Sequence, residues 1–172
     1  DLGSIDARMA AQAVAQIGKT GPWSFLNPVS AIVASPIQRT LDTANIIANE
    51  VGLSVSTNDN IAEISFGDWD GSTNDEVRQN WPEEFAAWQG SWEVAPPNGE
   101  SLEEFDERVM KGLFEIVEAN AGKTVAVVSH VMPIRGIARR ALDGGISAYW
   151  SPQISPCSIS ILFPDDHGSD AW

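Results

Sequence analysis

Apolar residues recur along the chain in two ways, at three- and four-residue spacing and in short unbroken runs, and the order in which these alternate predicts the elements. Ile5, Met9, Ala10, Ala13 and Ile17 share one helical face, with Ser4 as a cap and Gly18 as the stop. A loop over residues 22–28 leads to the run Ala31-Ile32-Val33-Ala34, a short strand. Ser35 then serves as an N-cap with Pro36 at the first helical position, and a helix follows from 36 to about 50. Its inward face carries Ile37, Leu41, Ala44, Ile47 and Val51, and Gly52 stops it.

A weaker strand covers residues 53–56, and residues 61–71 hold too many turn formers for a regular element and read as a shaped loop. Thr73 and Glu76 form a capping box for a short helix ending near Trp81-Pro82, with another over 83–89. Ser101 and Glu104 form a second box, opening a long helix with Leu102, Phe105, Val109, Leu113, Ile116 and Val117 inward and Gly122 at its close. A strand over 124–129, a helix over 133–142 and a strand over 157–163 complete the pattern. Residues 1–172 contain no repeat or domain linker, only the proline-rich link Ala95-Pro96-Pro97-Asn98-Gly99, so one domain is expected, with residues 67–97 as a helical excursion. Alternating strands and helices imply a mainly parallel sheet covered on both faces, with functional residues at the carboxyl ends of its strands.

A net charge of -14 opposes binding to nucleic acid or to an anionic membrane, so any anion site must be local. No apolar run is long enough to span a bilayer. The single cysteine, Cys157, rules out an internal disulfide and suits a reducing compartment, the cytoplasm by default. The sequence opens at Asp1 with neither an initiator Met nor a basic-then-apolar signal segment of its own, and the expectation is that it is the inside of a longer protein. The oligomeric state is left open, a homodimer among the options.

Two strand-to-helix corners carry the candidate chemistry, because helix N-termini offer unpaired N–H groups and a positive dipole end to an anion. At the first, Arg39 lies one turn into its helix and can reach back to clamp a phosphate bidentately, although its position also fits a surface arginine. At the second, His130 ends the run Val125-Ala126-Val127-Val128-Ser129, where a histidine either has buried partners or takes part in chemistry; Val131 follows it as a substrate-binding candidate. Glu63, between Ile61 and Ile64, is either a partly desolvated acid suited to proton transfer or a carboxylate capping nearby backbone. His167 lies in a polar tail and reads as ordinary, and Ser129 cannot align with His130 because adjacent strand residues face opposite ways. Trp69, Trp81, Trp88 and Trp92 fit either a lid or core packing. Arg135 adds positive potential near a helix start, Arg139 and Arg140 read as solvated, and Cys157 as packing.

The segments Ser35-Pro36-Ile37-Gln38-Arg39-Thr40, Glu63-Ile64-Ser65-Phe66-Gly67-Asp68-Trp69-Asp70-Gly71, Pro97-Asn98-Gly99-Glu100-Ser101 and Val127-Val128-Ser129-His130 resemble, in that order, the motifs of the histidine phosphatase superfamily, also called phosphoglycerate mutase-like. The resemblance runs from about Leu2 to Phe163. It implies a three-layer α/β/α sandwich, no metal and no cofactor, with Arg39 as phosphate clamp, Glu63 as proton donor and His130 as second catalytic histidine. The implied reaction is hydrolysis of a small phosphorylated metabolite through a phosphohistidine. Mutase-type phosphoryl transfer and a non-catalytic phospho-ligand-binding relative are the alternatives.

The family opens with a strand ending in Arg-His-Gly, which supplies the nucleophile, and no Arg-His-Gly occurs in these 172 residues. The expectation is that this strand precedes Asp1 in the native protein and is central in the sheet, so that without it the neighbouring strand keeps unpaired backbone groups.

Overall fold

A computed structural model describes residues 2–163. Its centre is β1 (Val29–Ala34), which pairs in parallel with β2 (Val55–Thr57) on one side and β3 (Thr124–Val128) on the other, giving the order β2-β1-β3. Successive β1 side chains point to opposite faces. Ile32 and Ala34 therefore pack with Ala11, Val14, Ala44 and Ile47 beneath α1 (Leu2–Gln16) and α2 (Gln38–Val51). Val33 meets Ile61 and Ile116 on the far side, where α5 (Leu102–Ala119) lies. The sheet is thus covered on both faces, the three-layer α/β arrangement expected.

The face of α1 is rotated from the one read in the sequence. Ile5 and Met9 are 54% and 64% exposed, while Ala7, Ala10, Ala11, Val14 and Ile17 are buried. Small side chains let α1 approach α2, which buries Ala44 and Ala48, so the alanine stripe outcompetes the larger residues for the contact. The helix begins at Leu2, before Ser4, so Ser4 is not its cap.

Ser35 does not cap α2 either. The helix starts at Gln38 behind an extended Ile37, without a side-chain cap, because the Ser35 hydroxyl is committed to the Ile37 N–H (3.3 Å) and to His130. Gly52, at φ 73°, closes α2 as expected.

Both capping boxes form, opening α3 (Asn74–Asn80) and α5; α4 (Pro82–Gly90) follows α3 with proline in its first turn. The tryptophans of this excursion pack inward. Trp69 and Trp88 are buried with Phe85, Phe105 and Tyr149, and Trp81 and Trp92 pack against that cluster. Among the described residues, no helix is long and apolar enough to cross a membrane.

The strand expected over residues 157–163 does not form. Its burial still alternates, with Cys157, Ile159 and Ile161 half-buried and Ser158, Ser160 and Leu162 exposed, which is the period of a strand. A strand exists only through pairing, and none of the described strands takes this segment as a neighbour. Cys157 itself sits in a turn at φ 56°, half-buried rather than packed in the core. β3 is correspondingly at the sheet edge, and all five of its residues are only half-buried.

Candidate active site

The pairing of β1 with β3 brings both corners to one place. Ala34 aligns with Val128, and the Ser35 N–H extends the ladder onto the Val128 carbonyl at 2.9 Å. Past this point the chains diverge, α2 starting at Gln38 and α6 (Val131–Ala141) at Val131, with His130 extended as the residue before α6. The His130 Nε2 lies 2.8 Å from the Ser35 Oγ, and both residues are buried. Burial, with the positive charge of Arg39 second, pulls the imidazole pKa down to about 4. His130 is therefore neutral at neutral pH.

Arg39 is the second residue of α2 and is exposed, and among the described residues its guanidinium has no hydrogen-bond or ion-pair partner. Its charge acts on both His130 and Glu63. The Glu63 Oε1 accepts hydrogen bonds from the N–H groups of Ile64 and Met132, each at 3.2 Å, the latter in the first turn of α6. Burial raises the Glu63 pKa above its ordinary value, against those two amides and the charges of Arg39 and Arg108. Both readings of Glu63 hold together: it caps backbone and it is a desolvated acid. Val131 begins α6 and is 39% exposed, between His130 and the amide that binds Glu63.

The loop that carries Glu63 is tied down along its length. The Ser129 Oγ donates to the Ile61 carbonyl at 2.7 Å, so the serine next to His130 anchors the neighbouring wall of the site. Gly67, at φ 56°, approaches the next motif so closely that a Cβ there would stand 2.2 Å from the Pro97 carbonyl oxygen. Asn98 donates to the Asp68 carboxylate at 3.0 Å and 3.2 Å across the same contact. An open depression of about 550 Å³ flanks this loop, lined by Asp59, Glu63, Asn98, Glu100 and Arg108, and reaches neither Arg39 nor His130.

Other candidates lie elsewhere. Arg139, read as solvated, is 11% exposed on its side chain, and its Nη2 donates to both carboxylate oxygens of Asp106 at 2.9 Å and 2.8 Å, because α6 packs on α5 there. Asp106 also accepts from the Tyr149 hydroxyl at 2.5 Å. Arg135 donates to the Pro152 carbonyl at 3.0 Å. His167 lies outside the described residues. Among the described residues, no group of three or more His, Cys, Asp or Glu side chains could hold a metal ion. Ser35, Ser129 and the Met132 amide were not singled out as site partners from the sequence; the serines were visible as small polar residues at strand ends, but their contacts exist only in three dimensions.

Comparison with known proteins places the chain in a family and a fold. The chain belongs to the histidine phosphatase superfamily (branch 1), whose family pattern matches residues 2–171. Among similar proteins, a bifunctional protein of Mycobacterium tuberculosis is 38% identical over 133 residues, 77% of this chain and 36% of its own length. Phosphoserine phosphatase 1 of Hydrogenobacter thermophilus is 34% identical over 139 residues, 80% of this chain and 66% of that protein. This chain therefore spans about a third to two thirds of these relatives. Among solved structures, YhfR of Bacillus stearothermophilus superposes with a TM-score of 0.69 at 28% identity, over 85% of this chain and 70% of the other. The fold also matches that of a mycobacterial glucosyl-3-phosphoglycerate phosphatase solved with VO3, with a TM-score of 0.76 at 23% identity over 92% and 75% of the two chains.

Proposed function

We propose that this protein hydrolyses small phosphate monoesters through a phosphohistidine, with its nucleophilic histidine carried by a strand that precedes Asp1. The observation that carries the reading is geometric: the paired strand ends place the buried His130 imidazole 2.8 Å from the Ser35 hydroxyl that precedes the Arg39 helix, and the first turn of α6 behind His130 holds the Glu63 carboxyl group through the Met132 amide at 3.2 Å. Among the described residues no strand lies on the outer side of β3, and its half-buried apolar run supports a further strand beside it. The relative that acts as a phosphoserine phosphatase supports monoester chemistry.

In this reaction the nucleophilic imidazole forms an N–P bond as the P–O bond to the leaving group breaks. Arg39 and an N–H of His130 offset charge on the non-bridging oxygens, and Val131 lies at the edge of the phosphate site. Glu63, whose pKa is raised by its burial, acts as the acid that gives a proton to the departing alkoxide, then takes one from the water whose oxygen attacks phosphorus as the N–P bond breaks. The products are an alcohol and inorganic phosphate, and neither metal nor cofactor takes part. The cytoplasm, where phosphorylated metabolites and reduced thiols coexist, is the compartment that fits.

The test is an assay of the full-length protein, including the chain before Asp1, against a panel of alkyl phosphates, with acid- and base-quenched samples examined for protein-bound phosphate. An acid-labile, base-stable phosphoenzyme is expected, and His130→Ala and Glu63→Gln should each lower kcat on the order of 10²–10⁴-fold. Undiminished activity in both variants would refute the assignment.

A further inference from the structure

Arg108, on α5, spends its whole guanidinium on one task. Nε and Nη2 form a bidentate pair with Glu100 at 2.7 Å and 2.8 Å. Nη1 donates to the carbonyls of Asn60 (2.8 Å) and Ala62 (3.2 Å), and Nη2 also to that of Glu63 (3.4 Å). Glu100 grips the other side: its Oε2 accepts the Ser65 N–H at 3.2 Å, and its own N–H donates to the Ser65 carbonyl at 2.9 Å. The backbone on both sides of Glu63 is thus bound to one ion pair, whose side chains are only 24% and 17% exposed. The approach is close because Gly112, one turn further along α5, faces the same loop; a Cβ there would stand 2.7 Å from the Asn60 Cβ.

We propose that the Arg108–Glu100 pair positions Glu63, fixing the carboxyl group against the Met132 amide so that it can protonate the leaving group; the inference rests on the function proposed above. Three carbonyls converging on one guanidinium define a loop conformation that a point charge cannot reproduce, because only the planar fork matches both the carboxylate and the carbonyls. Neither residue contacts the phosphate site, so both are positioning residues.

A proton donor matters in proportion to the basicity of the leaving group. The experiment compares kcat/KM of the full-length enzyme, which reports formation of the phosphohistidine and not its shared hydrolysis, on p-nitrophenyl phosphate, whose phenolate leaves without help, and on an alkyl phosphate such as glycerol phosphate. Arg108→Gln is expected to lower kcat/KM on the alkyl ester on the order of 10²-fold, the effect of a displaced catalytic group, and to change kcat/KM on the aryl ester less than about threefold. Arg108→Lys, which keeps the charge but not the fork, recovers part of the alkyl loss. Equal losses on the two esters, or no alkyl loss, overturn the proposal. Should Arg108→Gln fail to fold, Glu100→Gln carries the same test: a selective alkyl loss supports positioning and an even loss overturns it. Glu63→Gln measured alongside separates the two layers. Selectivity there but not in the Arg108 or Glu100 variants overturns positioning alone; no selectivity there overturns the acid role of Glu63 and this inference with it.

Discussion

Acidification should destabilise this protein in part through one buried imidazole. His130 is 6% exposed, with its pKa lowered from 6.5 to about 4. Because the folded protein resists the proton that the unfolded chain accepts, the His130 contribution is complete above pH 6.5 and vanishes as pH falls toward 4. At 1.36 kcal/mol per pH unit, the loss from pH 7 is about 2 kcal/mol at pH 5 and about 3 kcal/mol at pH 4. Carboxylates titrate over part of the same range with mixed signs. The raised pKa of Glu63 makes its protonation favour the fold, whereas Glu76, Glu104 and Glu115, lowered by their hydrogen bonds, lose stabilisation when protonated. A difference measurement cancels these. Urea unfolding of wild type and His130→Asn at pH 7, 6, 5 and 4 should give free energies whose gap changes by about 3 kcal/mol in favour of the variant over that interval. Two parallel curves would show that the ring is not held neutral by the fold, and the electrostatic picture of the site would fail with it.

Two further outcomes follow from packing and pairing. Trp88→Ala empties a position where Trp88 meets Trp69 at 5.7 Å and Trp150 at 4.9 Å between ring centroids, and should cost about 3–5 kcal/mol by urea unfolding. Asp106→Asn leaves Arg139 charged and largely buried without its carboxylate and should cost about 3–5 kcal/mol, whereas a loss under about 1 kcal/mol would mean that water reaches the guanidinium.

What could be read in the sequence was local. The boxes at Thr73 and Ser101, the stop at Gly52 and the inward row of α5 follow from short-range rules and agree with the structure. Faces set by competition between elements were harder. Periodicity favoured Ile5 and Met9, but the contact with α2 selected alanines that weigh little on any hydropathy scale. Residues 157–163 show the same limit from another side, since alternation marks a strand but cannot supply its neighbour. In the site, Arg39, Glu63 and His130 stand out by type and placement. Arg108 does not, because an arginine on an amphipathic helix looks solvated until a loop 45 residues earlier is seen to end on it. The nearest sequence clue is Glu100 in the motif Pro97-Asn98-Gly99-Glu100-Ser101, eight positions before it.

The outer side of β3 has a practical meaning for anyone handling these residues alone. Among the described residues no strand pairs with the outer side of Thr124–Val128, a row of amides and carbonyls above a slick of valine and alanine and the kind of seam that recruits a second molecule edge to edge. Preparations limited to residues 1–172 should grow turbid with concentration, and a short synthetic peptide of alternating pattern, added as a sacrificial neighbour, should keep them clear.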